Sequence, residues 1–200
     1  MAERRFVSRA GEKLEHALDA FNLDVTGFDC ADFGCNVGGF TDCLLERGAK
    51  SVTAIDTGYG VLAWKLRDDD RVEVLERTNA LHAATPAEGK DLVVIDLAWT
   101  PQRLSLPAAR AWLRPEGKIV TLVKPHYELP PEQSDLLESG FLPPEHAEGV
   151  FKNVLTEISE LGFKTLSTTQ SPLVGGKSSR KRGVPGNVEF LAFLEPAEAT

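Results

Sequence analysis

Apolar positions follow two rhythms along the 200-residue chain. In residues 8–21, Ala10, Leu14, Ala17, Leu18 and Phe21 recur at i, i+4, i+7, i+8 and i+11, which predicts a helix with one apolar face and Ser8 as its N-cap. Lys13 borders that face. Short apolar runs at 28–33, 51–56, 72–75, 91–97, 118–123, 163–169 and 187–194 read as strands. Helical spacing returns between them at 40–47, 61–67, 103–113 (ended by Pro115 and Gly117) and through Val150, Phe151, Val154, Ile158 and Leu161. Strands alternating with helices predict an α/β fold: a mostly parallel seven-stranded sheet with helices on both faces. No helical pattern separates the last two strands, so the C-terminal strand should run antiparallel to its predecessor. Residues 126–144, with Pro130, Pro131, Pro143 and Pro144, read as a mobile loop over the carboxyl ends of the strands.

The most informative stretch is Phe28 to Thr41, FDCADFGCNVGGFT: a strand, a turn carrying Gly34, Gly38 and Gly39, and a helix beginning near Phe40. Glycines allow positive φ and close approach to a ligand, and the helix start beyond them offers unpaired N–H groups. Such a turn suits a nucleotide-like cofactor, and a Cβ at Gly38 is expected to fill ligand space. About 20 residues on, the second strand ends in Asp56, placed to accept hydrogen bonds from ribose hydroxyls. Asn79 follows the third strand, where many such folds hold adenine. The dinucleotide fingerprint is G-x-G-x-x-G, whereas here Cys35, Asn36 and Val37 separate Gly34 from the Gly38-Gly39 pair, with Asp32 two residues ahead. That spacing favours S-adenosylmethionine, which has no pyrophosphate to wrap and whose cationic groups a strand-end carboxylate would attract. A tight βα turn without a ligand is the plainer alternative. Asp96 and Lys124 end two further strands, and the parallel topology should turn Asp32, Asp56, Asp96 and Lys124 toward one crevice.

Composition narrows the picture. With 42% hydrophobic and 26% charged residues the chain suits a single domain over 1–200, a helix at 8–21 followed by a Rossmann-like core at 28–195. No apolar run reaches the ~20 residues of a membrane span, and the start lacks the apolar core of a signal peptide, so a cytoplasmic protein is expected. Cys30, Cys35 and Cys43 lack the paired spacing and nearby histidines of a zinc site and are expected to be reduced packing residues, with no metal bound. The net charge of −8 argues against nonspecific nucleic-acid binding by the surface as a whole. Two basic clusters stand out, Arg4, Arg5, Arg9 and Lys13 early and Lys177, Arg180, Lys181 and Arg182 late. Each alone suits a solvated face; converging on one site, they would form an RNA-binding rim.

Seven ordered motifs, SRAGEKL, DFGCNVGGFTDCLL, AIDTGYG, LERTN, DLVVIDLAW, LVKP and GNVEFLAFL, resemble the FtsJ-like ribose 2'-O-methyltransferases over nearly the whole chain, and within them the haemolysin or TlyA-like branch. The resemblance implies a Rossmann-like S-adenosylmethionine-dependent methyltransferase fold, RNA as substrate, ribosomal RNA in particular, and a Lys-Asp-Lys-Glu tetrad at Lys13, Asp96, Lys124 and Glu189. It also implies cofactor contacts at Gly38, Phe40, Asp56, Asn79 and Asp96. A ribose hydroxyl is a poor nucleophile, so the enzyme must align it and take its proton, for which Lys124 is the candidate base, with Lys13 as a neighbouring cation. Members of the branch carry an N-terminal S4 RNA-binding domain ahead of the SRxGxKL motif; only Met1 to Val7 precede Ser8 here. The expectation is therefore a chain lacking that module, its RNA delivered by a partner protein. Methylation of a small hydroxylated molecule, and a non-catalytic cofactor- or RNA-binding role, remain as alternatives.

Overall fold

The computed structural model describes residues 5–175 and 186–197. Seven strands, β1 (Asp29–Phe33), β2 (Ser51–Ile55), β3 (Val72–Leu75), β4 (Lys90–Ile95), β5 (Leu113–Val123), β6 (Phe163–Gln170) and β7 (Phe190–Pro196), form one sheet in the order β3-β2-β1-β4-β5-β7-β6. The first five run parallel, and β7 inserts between β5 and β6 antiparallel to both, as the missing helix between the last two strands predicts. The order reverses direction beside β1, so β1 and β4 diverge into opposite crossovers and leave a crevice at their carboxyl ends.

The strands are apolar on both faces because helices cover both. Along β4, Leu92 and Val94 point into one core while Val93 and Ile95 point into the other; Val120 and Leu122 alternate with Ile119 and Val123 on β5. The first core packs under α1 (Ala10–Ala20) and α2 (Gly39–Glu46), the second under α4 (Gln102–Arg110) and α6 (Pro144–Glu160). Two short helices, α3 (Trp64–Arg67) and α5 (Pro125–Glu128), complete the set with a 3-10 turn at Pro131–Leu136. Cys30, Cys35 and Cys43 are all buried free thiols, and burial pushes each of them up, Cys30 to about 12, which favours the protonated form.

Four local expectations need correction. The helix expected to run to Leu113 ends at Arg110, and β5 begins at Leu113 instead of Lys118. Pro115 and Gly117 lie within that strand, where the pairing jumps from Lys90↔Leu113 to Leu92↔Lys118. The bulge absorbs the missing proline N–H, and only glycine fits at 117, because a Cβ there would lie 2.6 Å from the Lys90 carbonyl oxygen. Residues 126–144 are partly ordered by α5 and the 3-10 turn, and Leu142 is anchored in the second core. α6 begins at Pro144, its ring at the helix start where no N–H is required. Arg9, and not Ser8, occupies the N-cap of α1, although Ser8 Oγ does accept the Ala10 N–H at 3.3 Å.

The glycine turn itself is packed by protein. Gly38 caps α2 with φ of 101°, and a Cβ there would come within 2.3 Å of Leu66 Cδ1 and 2.7 Å of Leu62 Cδ1. The space expected for a ligand at this glycine belongs to Leu62 and Leu66. Gly39 touches the start of α1, and Gly34, at φ of 87°, lies against the Asp96 carbonyl. Gly38→Ala should therefore cost roughly 2–4 kcal/mol, combining a left-handed φ with overpacking. Urea unfolding in a Leu66→Ala background should show a smaller cost for the same change. Strict additivity would refute the packing account.

Candidate active site

β1, β4 and β5 end on one side of a cleft of about 770 Å³. Its floor is the turn after β1. The Gly34 and Cys35 N–H groups donate to the Ile55 carbonyl at 2.9 and 3.1 Å, pinning the turn to the end of β2. Asn36 takes a left-handed φ of 48°, and its N–H donates to Asp56 Oδ2 at 2.9 Å. Gly58 N–H donates to the other Asp56 oxygen at 2.7 Å, so this carboxylate braces the loops after β1 and β2.

Asp32, on β1, is completely buried. Its Oδ2 accepts the Thr41 N–H at 2.9 Å and the Thr41 hydroxyl at 2.7 Å, which ties β1 to the first turn of α2. Its Oδ1 has no partner among the described residues, and the residue lines the cleft. Burial pushes the Asp32 carboxyl up to about 7, opposed by the Thr41 hydrogen bonds and reinforced by the charge of Asp96.

The four tetrad residues all line this cleft and pair off. Lys124, at the end of β5, stands 2.5 Å from Asp96 Oδ1, at the end of β4, and donates to the Leu97 carbonyl at 2.9 Å. Lys13, on α1, forms a buried ion pair with Glu189, just before β7. Burial raises the Glu189 carboxyl, Asp96 adds to the rise, and the charges of Lys13 and Lys124 oppose it. Glu189 has room because its neighbour is Gly175, where a Cβ would meet Glu189 Oε1 at 2.2 Å.

Of the other expected site residues, Asp32, Gly34, Asn36 and Phe40 line the cleft, whereas Gly38, Gly39, Asp56 and Asn79 do not. Asp56 is one hydrogen bond behind the Asn36 backbone. Asn79 is exposed, its Oδ1 accepting the Leu81 N–H at 3.0 Å. Arg9 lines the cleft. Arg5 is bound instead to Glu15 and Glu46 on α1 and α2. Arg4, Lys177, Arg180, Lys181 and Arg182 lie outside the described residues, but the flanks of the late cluster meet at the cleft: the Gly175 N–H donates to the Asn187 carbonyl at 2.8 Å.

Three aromatic residues escaped the sequence reading. Trp99 is 81% exposed at the rim, in a left-handed conformation with φ of 59° that costs a bulky residue energy. Its ring centroid lies 4.7 Å from Tyr127, and Tyr127 lies 4.0 Å from His126. Burial and the charges of Lys124 and Lys13 push His126 down to about 4, so its imidazole is neutral. The signal in the sequence was a tryptophan three residues after Asp96 and a His-Tyr pair beginning two residues after Lys124.

A seven-stranded sheet with this order, and a cleft beyond the carboxyl ends of β1 and β4, is the Rossmann-like fold of S-adenosylmethionine-dependent methyltransferases. The sequence profile of the FtsJ-like methyltransferases matches residues 6–184, and the chain belongs to that family. It is 42% identical over 195 residues to the 16S/23S rRNA (cytidine-2'-O)-methyltransferase TlyA of Mycobacterium tuberculosis, covering 96% of this chain and 69% of that one. A solved hemolysin-type chain from Streptococcus thermophilus superposes with a TM-score of 0.87 at 38% identity, over 100% of this chain and 70% of the other. Another from Lactococcus lactis gives 0.85 at 37%, over 96% and 89%.

The buried Lys13–Glu189 pair makes a separable prediction. Lys13→Met or Glu189→Gln alone strands a buried partner and should cost about 3–5 kcal/mol in chemical denaturation. Lys13→Met with Glu189→Gln should recover most of that stability while methyl transfer stays lost. Recovery of activity along with stability would reduce the pair to scaffolding.

Proposed function

We propose that the chain transfers a methyl group from S-adenosylmethionine to a ribose 2'-hydroxyl of RNA, with ribosomal RNA as the substrate class. The observation that carries this reading is the meeting of two lysine–carboxylate pairs, Lys13–Glu189 and Lys124–Asp96, in one cleft beside the unspent oxygen of Asp32. A buried carboxylate oxygen without a protein partner suits an ammonium group, so the residues present fit this cofactor. Asp32 and the backbone from Gly34 to Val37 would hold its amino-acid end, with Asp56 and Asn79 toward the adenosine side. When bound, the cofactor supplies a sulfonium methyl open to in-line attack.

The chain's own residues do the rest. Lys124 Nζ, fixed by Asp96 and the Leu97 carbonyl, lies where a base for the hydroxyl proton is needed, and it takes that proton only after the ammonium that pairs with Asp96 has given up one of its own. Lys13, oriented by Glu189, contributes a second positive charge beside the oxygen that loses its proton. RNA is favoured as substrate by the exposed Trp99 ring, a stacking platform for a base at the rim, and by the flanks of the late basic segment meeting beside Glu189. The net charge of −8 favours the competing reading, a small hydroxylated acceptor. Among the described residues no helix is long and apolar enough to cross a membrane, and action on ribosomal RNA would place the protein in the cytoplasm.

Labelled methyl donor offered to ribosomal subunits, free ribosomal RNA and small hydroxylated acceptors decides between these readings, with nucleoside digestion locating the label. The expected result is label on a ribose oxygen, with Lys124→Ala and Asp96→Ala each reducing kcat by about 100-fold or more while remaining folded. Cofactor affinity should survive better in the lysine variant. Full activity of Lys124→Ala would overturn the tetrad reading, and label only on small acceptors would overturn RNA.

Asp32 adds a pH dependence. An ammonium needs the ionised carboxylate, so affinity for S-adenosylhomocysteine should rise about tenfold from pH 6 to pH 8, as the Asp32 carboxyl, pushed up to about 7 by burial, ionises. The raised pKa has the opposite sign for folding: its contribution is complete below pH ~4 and is lost as pH rises through about 7. Calorimetry and urea unfolding on Asp32→Asn should show both trends flattened; an unchanged pH profile of binding would remove Asp32 from the ligand.

A further inference from the structure

His126 lines the same cleft as the two tetrad lysines, whose charges both act on it, and the proposed reaction leaves it without a role. Its Nδ1 is buried with no partner among the described residues and the residue lines the cleft, which leaves Nε2 as the ring nitrogen that can face it. An orphaned buried N–H is a costlier defect than an orphaned lone pair, which places the single proton of the neutral ring on Nε2. The ring is held in place by Tyr127 at 4.0 Å, itself braced by Trp99 at 4.7 Å. Pro125, at the start of the same helical turn, is buried and restricts the backbone beside it.

We propose that His126 is a substrate-binding residue that donates a hydrogen bond from Nε2–H to a sugar–phosphate oxygen of the target nucleotide. This rests on the RNA methyltransferase reading above. A fixed neutral donor beside two ammonium groups suits an electron-rich oxygen, and the oxygens adjoining a reactive 2'-hydroxyl meet that description. Neutrality also has a use: a third positive charge next to Lys124 and Lys13 would repel both, whereas an uncharged N–H aligns the nucleotide without disturbing the pairs with Asp96 and Glu189. The ring ladder then runs from an exposed face that can stack a base to a donor at depth that can hold its sugar–phosphate.

Two measurements test this. Nitrogen-15 NMR of the histidine rings, assigned by loss of one signal in His126→Gln, should show a neutral Nε2-protonated ring from pH 5.5 to 8. A protonated ring or an Nδ1–H tautomer would overturn the proposal without any substrate present. In methyl transfer to ribosomal subunits, His126→Leu should lower kcat/KM by about 10- to 100-fold, as expected for loss of a hydrogen bond to a charged acceptor. His126→Gln, whose amide nitrogen reaches the place of Nε2, should recover most of that loss, and His126→Asn, which reaches only the place of Nδ1, should not. Equal binding of S-adenosylhomocysteine by all three variants would establish that each is folded. Full activity of His126→Leu, or equal failure of His126→Gln and His126→Leu, would overturn the donor role. A parent protein that methylates no RNA overturns the RNA reading and the acceptor with it, and the NMR result separates that outcome from a wrong assignment of the ring.

Discussion

The ion pair between Lys13 and Glu189 joins residues 176 positions apart and closes the molecule. It fastens α1 to the segment leading into β7, the last strand in chain order, so residues near the two ends of the described chain meet at one point of the cleft. Both charges are buried, and neither partner is tolerable there without the other. A pair of hydrophobic residues would hold the two segments together with less desolvation. The retention of charges at such a position points to the cleft and not to the fold.

Everything else at the cleft is arranged around fixed backbone. Asp56 braces Asn36, the first turn of α2 holds Asp32 through Thr41, and the Leu97 carbonyl holds Lys124. The three glycines of the turn are needed because Leu62, Leu66, Ser8 and the Asp96 carbonyl occupy the space a Cβ would take. Close packing of helices on the turn and shaping of the ligand surface are therefore the same constraint. From this stretch Asp32, Gly34, Cys35, Asn36, Val37 and Phe40 line one volume.

The electrostatics of the cleft are balanced pair by pair. Two lysines face two carboxylates, while Asp32 and His126, each with one buried atom lacking a partner among the described residues, are both shifted by burial toward their neutral forms. The acidic surface of the molecule thus encloses a site with little net charge of its own. At the rim Arg9 lines the cleft, and the segments on either side of residues 176–185 meet there through the Gly175–Asn187 hydrogen bond.

Local sequence determined much of this protein because parallel strands between two helical layers must be apolar on both sides and helices on one. That period change located all seven strands, β3 to the residue and the others with shifted ends, and the absence of a helix before β7 determined its direction. The strand-end positions of Asp32, Asp96 and Lys124 followed from the same rule, since side chains at the carboxyl ends of parallel strands share one edge. Contacts between distant segments were beyond local pattern. Only the folded chain showed that Gly38 faces Leu62 and Leu66, that Arg5 turns to Glu15 and Glu46, and that β5 starts early through a bulge at Pro115 and Gly117. The stack of Trp99, Tyr127 and His126 was equally hidden, because it assembles the ends of two neighbouring strands and has no period of its own. Periodicity records which face a residue occupies, whereas the partner it meets there depends on how the layers close, which is a property of the whole sheet.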